Sequence, residues 1–159
     1  MTSETGAESE FEYDRSVIGV DVEQGSVEIT RERIDNFLEA LGETNPIYTD
    51  EAVAKDGRYE GVIVPPGLLA ALPFGHGGPD PKVRFGTTTM LAGTRVEMLQ
   101  PIRPGDTLSA KTQVKDVYAK TGRSGTMVFV VRRTTYSNQD GDEVAFFDQS
   151  LVHRDIAGG

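Results

Sequence analysis

The sequence lacks several of the residue types on which many active sites depend. Among its 159 residues there is no cysteine and no tryptophan, and there are only two histidines, His76 and His153. The absence of cysteine excludes disulfide bonds, a thiolate nucleophile and any cysteine-based metal site. With so few histidines, a histidine-rich metal site is not expected either. We therefore predict that the protein binds no metal.

Long apolar segments are also missing. No run of apolar residues approaches the roughly 18 that a membrane-spanning helix needs, and the N-terminal residues lack the apolar core of a secretory signal. These features predict a cytoplasmic protein that does not enter a membrane.

Basic residues are outnumbered by acidic ones. Sixteen Lys and Arg residues stand against 25 Asp and Glu residues, which gives a net charge of −9. Because nucleic-acid binding needs clustered positive charge, we do not expect a nucleic-acid partner. Most of the negative charge lies before residue 25, where seven acidic residues accompany one basic residue, Arg15. Residues 1–12 are therefore predicted to be an acidic disordered tail, and residues 13–156 a single folded domain.

The first half of the predicted domain carries helical signals. Apolar residues recur at spacings of three and four, which predicts a helix from Arg31 to Leu41. Thr30 is a suitable N-cap and Gly42 a suitable C-terminal stop. Asn45-Pro46 then predicts a turn or an extended segment, and a short amphipathic helix follows over residues 50–55.

An apolar segment follows at Gly61–Pro73. It is entered through Pro65-Pro66-Gly67 and closed by Pro73, which is typical of a short buried helix. From residue 82 the pattern changes to β-strands separated by turn residues. The predicted strands cover residues 85–91, 93–99, 106–118, 126–137 and 143–154.

Helices followed by strands with short connections indicate an α+β domain with an antiparallel sheet. In this arrangement the apolar helix lies against one face of a curved sheet, which is the plan of a hotdog fold. The segment Val128–Val131 is apolar on both faces, so we predict that its strand is central in the sheet and covered on both sides. The helix would cover one side, and loops or a second subunit the other.

The segment Leu41–Tyr48, with the sequence LGETNPIY, resembles an active-site motif of the MaoC-like (R)-specific enoyl hydratase and acyl dehydratase family. In that family the motif reads Gly-Asp, any residue, Asn-Pro, an aliphatic residue and His. Glu43 stands at the Asp position here, and Tyr48 at the His position. Three further segments carry the resemblance, the last of them to the FAS1-like N-terminal dehydratase domain: Val64–Leu69, Arg95–Leu108 and Arg123–Gly141.

The resemblance implies reversible hydration of a trans-2-enoyl thioester to an (R)-3-hydroxyacyl thioester, carried on coenzyme A or on an acyl carrier protein. Asn45 would orient the site, and the backbone amide of Gly67 would stabilise the thioester oxyanion. Pro66, Leu68 and His76 would contact the substrate. The addition of water to such a thioester needs no metal, flavin or nicotinamide, so no cofactor is expected. The family also implies a homodimer, or a heterodimer with another hotdog subunit.

The two substituted positions change the chemistry of the motif. Glu43 keeps a carboxylate but adds one methylene, which displaces a general base by about 1 Å, and shifts of that size can reduce a rate by roughly 100-fold. Tyr48 has a reference pKa near 10, against roughly 6.5 for histidine, so it can donate a proton but is a poor base at neutral pH. The sequence thus predicts a half-preserved acid–base pair.

Three functions remain open from the sequence. The chain is a hydratase that works through Glu43 and Tyr48, or it is a non-catalytic acyl-binding subunit whose hotdog partner carries the intact Asp and His. The third function is that of a hotdog thioesterase in which Glu43 activates water. Arg103, Lys120 and Arg123 flank turns and could bind the phosphates of coenzyme A or the acidic helices of a carrier protein.

Overall fold

The computed structural model describes residues 11–74 and 77–156. Within this part of the chain five strands form one sheet: β1 (Val22–Glu28), β2 (Thr88–Met98), β3 (Thr107–Gly122), β4 (Gly125–Ser137) and β5 (Glu143–Arg154). The helices are α1 (Arg31–Leu41), α2 (Pro46–Thr49) and α3 (Glu51–Lys55), with a 3-10 helix at Arg15–Val17 and a central 3-10 helix at Pro66–Ala71. Among the helices described, none has the length and apolar character required to span a bilayer.

The sheet is antiparallel throughout, with the strand order β1-β3-β4-β5-β2. β4 is the middle strand, as its two apolar faces predicted, and β1 and β2 form the edges. The prediction of separate strands at residues 85–91 and 93–99 was wrong. These residues contribute to one strand, β2, whose pairing with β5 shifts register between Leu91 and Gly93. A β-bulge adds a residue to one strand only, and it therefore interrupts the alternation from which strands are predicted.

Local side chains and backbone define the ends of α1. Oγ1 of Thr30 accepts a hydrogen bond from the backbone N–H of Arg33 at 3.2 Å, and Gly42 ends the helix in the left-handed conformation with φ 66°. The N–H of Glu43 then bonds to the carbonyl of Leu38 at 2.9 Å, which satisfies the last turn. The predicted boundaries of this helix and both of its caps are confirmed.

The predicted buried helix is a 3-10 helix of six residues that buries only one side. Leu68 and Leu69 are buried, whereas Gly67 and Ala70 are exposed. The hydroxyl of Tyr136 on β4 donates a hydrogen bond to the carbonyl of Leu69 at 3.3 Å. Burial raises the pKa of Tyr136 to about 12, so this hydroxyl remains a donor at physiological pH. The predicted α+β architecture, with a sheet packed around a short central helix, is confirmed.

A second apolar cluster lies on the same face of the sheet, beyond the central 3-10 helix. Its buried members come from β3 and β4 and are Val114, Val117, Val128 and Val130. Phe11, Tyr13 and Phe85 pack against this cluster, and Phe11 stacks on Tyr13 with ring centroids 5.4 Å apart. Phe11 therefore packs on the domain, and residues 1–10 of the predicted tail lie outside the described residues.

The opposite face of β4 is partly open in this single chain. Phe129 and Val131 are half-buried there, and Phe129 stacks on Tyr118 of β3 with ring centroids 5.2 Å apart. The central helix covers part of one side of β4, as predicted, and Phe11, Tyr13 and Phe85 pack over the rest of that side, which was not predicted. Full cover of the other side by loops or a second subunit stays a prediction.

Candidate functional site

The motif at residues 43–48 folds as a series of side-chain caps. Oε1 of Glu43 accepts a hydrogen bond from the backbone N–H of Asn45 at 2.8 Å. Oδ1 of Asn45 accepts one from the N–H of Ile47 at 3.1 Å and so caps α2. Asp50 caps α3 in the same manner. The polar residues of the motif therefore hold the loop between α1 and α3 in its conformation.

Glu43 is exposed, and its carboxylate is partly engaged with the loop backbone. No side chain in residues 11–74 or 77–156 donates a hydrogen bond to it, and Glu43 and Tyr48 are not bonded to each other. A catalytic acid and base that share one water molecule must both lie within hydrogen-bond reach of it. Glu43 and Tyr48 thus do not form a hydrogen-bonded dyad in this chain.

Tyr48 is half-buried and packs against the core. Burial raises the pKa of its hydroxyl, and the nearby Glu43 carboxylate and Tyr59 raise it further. A raised pKa keeps the hydroxyl protonated at neutral pH, so Tyr48 is a hydrogen-bond donor there and not a base. Because Tyr59 affects the pKa of Tyr48, Tyr59 lies near the motif, which the sequence did not indicate.

Gly67 lies at the second position of the central 3-10 helix and is exposed. Its backbone N–H has no acceptor among the described residues, so this donor is available to an external oxygen. The position leaves little space for a side chain, because a Cβ here would lie 3.3 Å from Cζ of Phe37 on α1. The glycine therefore allows α1 and the central helix to approach closely.

Two cavities flank the central 3-10 helix. The first, the α1 groove, has a volume of about 520 Å³, and its lining residues include Thr30, Glu32, Arg33, Asn36, Phe37 and Leu68. The second has a volume of about 340 Å³, and its lining residues include Tyr59, Val64, Pro66 and Met98. The predicted substrate-binding residues Leu68 and Pro66 thus line different cavities. The third, His76, lies outside the described residues.

The motif lies beside these cavities and not within them. Glu43, Asn45 and Tyr48 line neither one. The nearest connection is to the second cavity. Two lining residues of that cavity lie next to the motif. Tyr59 is close enough to Tyr48 to raise its pKa, and the N–H of Ile63 donates a hydrogen bond to the carbonyl of Ile47 at 3.3 Å. The structure therefore places the motif next to the second cavity, and the catalytic roles of Glu43, Asn45 and Tyr48 stay predictions.

Arg103 fixes the segment that leads into the second cavity. Its guanidinium donates hydrogen bonds to the carbonyls of Val62, at 3.3 Å, and of Tyr59. Its own backbone N–H donates to the carboxylate of Asp106 at 2.9 Å. The guanidinium contacts join positions 41 and 44 residues apart, so no local pattern could have revealed them. The guanidinium of Arg103, a candidate for phosphate binding from the sequence, is thus engaged within the fold.

Replacing Arg103 with methionine is expected to loosen this segment without unfolding the protein. The loss of hydrogen bonds from a charged donor should speed amide hydrogen exchange at Ile63 and Val64 by about tenfold. Exchange followed by NMR measures the effect, and Lys120→Met, which changes an exposed cation, is the control. Unchanged exchange at both amides in Arg103→Met would contradict this positioning role.

A family model described as the FAS1-like dehydratase domain region matches residues 16–147. The chain belongs to the FAS1-like dehydratase family. A UPF0336 protein of Streptomyces avermitilis is 32% identical to this FAS1-like dehydratase chain over 99 residues. The match covers 60% of the chain and 66% of that relative, which is slightly less than two thirds of the relative's length.

Solved structures share the fold of this FAS1-like dehydratase chain. A chain of the ChsH1–ChsH2 complex from Mycobacterium tuberculosis matches with a TM-score of 0.66 and 21% identity, over 95% of this chain and 86% of that chain. A chain of the HadBC complex, a 3R-hydroxyacyl-ACP dehydratase from the same organism, matches with a TM-score of 0.64 and 19% identity, over 86% of this chain and 96% of that chain. At these identities the likeness shows the fold alone, and it confirms the predicted hotdog architecture.

Proposed function

We propose that this FAS1-like dehydratase chain is the acyl-binding subunit of a heteromeric enoyl-thioester hydratase. The observation that carries the proposal is the state of Glu43 and Tyr48. Glu43 bonds to the loop backbone, and Tyr48 is a protonated hydroxyl whose pKa is raised by burial and by Glu43. In our proposal this pair does not activate water, because Glu43 is engaged with the loop backbone and is not hydrogen-bonded to Tyr48, which is a donor and not a base at neutral pH. In the proposal a second hotdog subunit supplies the base and the acid as an Asp and a His.

The proposed reaction adds water across the double bond of a trans-2-enoyl thioester. The base removes a proton from water as its oxygen bonds to C3, and a proton is delivered to C2, which yields the (R)-3-hydroxyacyl thioester. Negative charge gathers on the thioester oxygen during this step. In our proposal the available N–H of Gly67 donates to that oxygen. The α1 groove receives the acyl tail, with Phe37 and Leu68 as its apolar wall.

The edge strand β2 offers a site for the second subunit. Met90 and Leu91 are apolar but 43% and 56% exposed. The outer edge of β2 has no partner among the strands described, and an unpaired edge can continue its sheet into another chain. The neighbours ChsH1–ChsH2 and HadBC are complexes. These observations support a heteromer over a chain that works alone.

The proposal predicts that the purified chain alone does not hydrate crotonyl-coenzyme A. Loss of the enoyl absorbance should stay at the rate of the buffer blank, whereas the saturated thioester hexanoyl-coenzyme A should bind in a calorimetric titration. Coexpression with a hotdog subunit that carries the intact Asp and His should give a complex that turns over crotonyl-coenzyme A. Failure of the chain to bind the saturated thioester, or of the complex to form, would contradict the proposal.

A hydratase that works without a partner is the second candidate. The influence of Glu43 on the pKa of Tyr48 favours it, because it places the carboxylate near the hydroxyl. Turnover by the chain alone that is abolished by Glu43→Gln, but not by the matched surface change Glu39→Gln on α1, would establish this function. Release of free coenzyme A in the same assay would instead establish the thioesterase.

A further inference from the structure

We infer that two copies of this chain pack back to back through the outer face of the sheet, which is the face that points away from the central 3-10 helix. Tyr118 of β3 and Phe129 of β4 lie in the middle of the contact, and a two-fold axis crosses the strands beside them. This contact is separate from the proposed function, since the outer face contains neither the α1 groove nor the hydrogen-bonding edge of β2.

A row of apolar side chains crosses the outer face. The register places Tyr118 opposite Phe129, Phe129 opposite Val152 of β5, and Val152 opposite Met90 of β2. On β3, β4 and β5 the neighbouring residues belong to the second apolar cluster or pack against it on the inner face, so strand alternation points the row outward. The four side chains therefore form one apolar row, the outer row, that runs from β3 to the edge of the sheet.

The outer row is accessible in the single chain. Tyr118 and Phe129 are half-buried and stacked, with ring centroids 5.2 Å apart, and Met90 is 43% exposed. Neither aromatic ring belongs to the apolar clusters of the described residues, which lie on the inner face. Contiguous exposed apolar surface often marks a site of interaction with another molecule. The outer row thus indicates a contact that the chain does not complete by itself.

Charges of opposite sign flank the outer row on β3. Asp116 lies two residues before Tyr118 and Lys120 two residues after it, so all three side chains share the outer face. Both charged residues are exposed, and neither forms an ion pair with another residue in the described part of the chain. Nζ of Lys120 lies 5.5 Å from the ring centroid of Tyr118. Along the outer face β3 therefore presents an anion, an aromatic ring and a cation, a pattern that complements its own reverse.

A second copy that is turned by half a rotation about the outer row presents this reverse pattern. Each strand then faces its own counterpart in the opposite direction, and the contact is isologous. Tyr118 and Phe129 pack on the same residues of the second copy, and Lys120 of each copy faces Asp116 of the other. Sheets that pack face to face lie about 10 Å apart, a distance that a lysine and an aspartate reaching from opposite sides can span.

The residues beside these charges match as well. The register places Met127 of β4 opposite Lys120, and Val131 opposite Asp116, so the rotation brings Met127 of one copy against Val131 of the other. A two-fold axis along the strands would instead set Lys120 against Thr88 of the second copy and leave both charges without a partner. The charges thus favour the axis that crosses the strands.

A second copy fits this face better than an acidic protein does. The chain has a net charge of −9, so two copies repel each other in most orientations. The outer face around Tyr118 avoids this repulsion, because Lys120 and Arg154 accompany Asp116 there. An acidic protein would meet Asp116 as a like charge, whereas a second copy brings one charge of each sign to the matching positions.

Charge reversal tests the inference, with sedimentation equilibrium of the full chain as the measurement. We expect Lys120→Asp and Asp116→Lys each to weaken association by about tenfold or more, because each change sets like charges opposite each other at two places. Where the unaltered chain is assembled, each variant should sediment with half its mass. An equal mixture of the two variants should regain the full mass, since every charge then faces one of opposite sign again. Lys55→Asp, which changes an exposed cation on α3, should retain the full mass.

A contact between methyl groups tests the same geometry without any substitution. Met127 and Val131 are four residues apart on β4, which is about 13 Å within one strand, so a nuclear Overhauser effect between their methyl groups arises only between copies. We expect this effect in a mixture of differently labelled chains, and its absence from an assembled sample would contradict the inferred packing.

Three results of the sedimentation experiment would overturn the inference. A monomeric unaltered chain would leave the outer face to another protein. An assembly whose mass neither charge reversal changes would be held through another surface, such as the β2 edge. Variants that separate but do not recombine on mixing would contradict the pairing of Lys120 with Asp116. None of these results bears on acyl binding, so a failure here and a failure of the proposed function are distinguishable.

Discussion

Replacing Leu68 with alanine is expected to lower the free energy of unfolding by about 2–5 kcal/mol, the usual cost of removing a large buried aliphatic side chain. Leu68 is 2% exposed and belongs to the main core cluster. It lies on a 3-10 helix of only six residues, and so short a helix depends on tertiary packing for its stability. Urea denaturation followed by circular dichroism measures the change.

Leu41→Ala is the matched control for Leu68→Ala. Leu41 is 65% exposed at the end of α1, so its replacement should change the free energy of unfolding by less than about 0.5 kcal/mol. Leu68 also lines the α1 groove, and Leu68→Ala should therefore weaken binding of hexanoyl-coenzyme A under conditions in which the variant is still folded. Equal destabilisation by the two substitutions would show that Leu68 is not a core anchor.

The helix α1 could be predicted to the residue because the signals that bound it are local. Thr30 contacts a backbone group three residues away, and the left-handed Gly42 ends the helix through carbonyls of its own last turn. The central position of β4 could be predicted as well, since a strand that is apolar on both faces has to be covered on both faces, and such cover is typical of the middle of a sheet. These elements are determined by their own sequences and by burial.

The edges of the sheet could not be predicted in the same way. β1 was not predicted, because most of its residues are exposed and its pairing with β3 shifts register between Glu23 and Gly25. β2 was divided in two because the shift between Leu91 and Gly93 resembles a break between strands. An edge strand buries little surface, and a bulge removes the alternation, so neither leaves a clear periodic pattern.

The candidate site shows the same division between local and distant determinants. The end of α1 and the turn at Asn45 could be located from the sequence, since Asn45-Pro46 is a turn signal, but the short helix α2 that begins at Pro46 was not predicted. The nearness of Tyr59 and the hydrogen bonds of Arg103 come from chain segments that meet only in the folded protein. The size of the α1 groove likewise depends on how α1 packs beside the central helix, which sequence spacing does not determine.

The ion pair between Arg133 and Asp148 is expected to make the stability of the fold depend on pH. Strand alternation places Arg133 on the face of β4 opposite to Tyr136, away from the central helix. The carboxylate of Asp148 accepts hydrogen bonds from Nε and Nη2 of Arg133 at 2.7 and 2.9 Å, and Nζ of Lys115 lies 3.5 Å from it. Burial alone would raise the pKa of Asp148, but the hydrogen bonds and charge of Arg133, together with Lys115, lower it overall.

Asp148→Asn is expected to lower the free energy of unfolding by about 1.5–3 kcal/mol at neutral pH, because Arg133 loses a charged partner on a largely buried site.

The pKa of Asp148 is lower in the folded state than in the unfolded state. Its ionised form therefore stabilises the fold above the unfolded pKa, near 3.9, and this stability is lost as the pH falls through the folded pKa. The difference in the free energy of unfolding between the unaltered protein and Asp148→Asn, measured by urea denaturation, should shrink from about pH 5 toward pH 2. Asp35→Asn, which removes the exposed partner of Arg31, should show only a small difference at every pH. A constant difference for Asp148→Asn would mean that this side chain acts through packing and not through its charge.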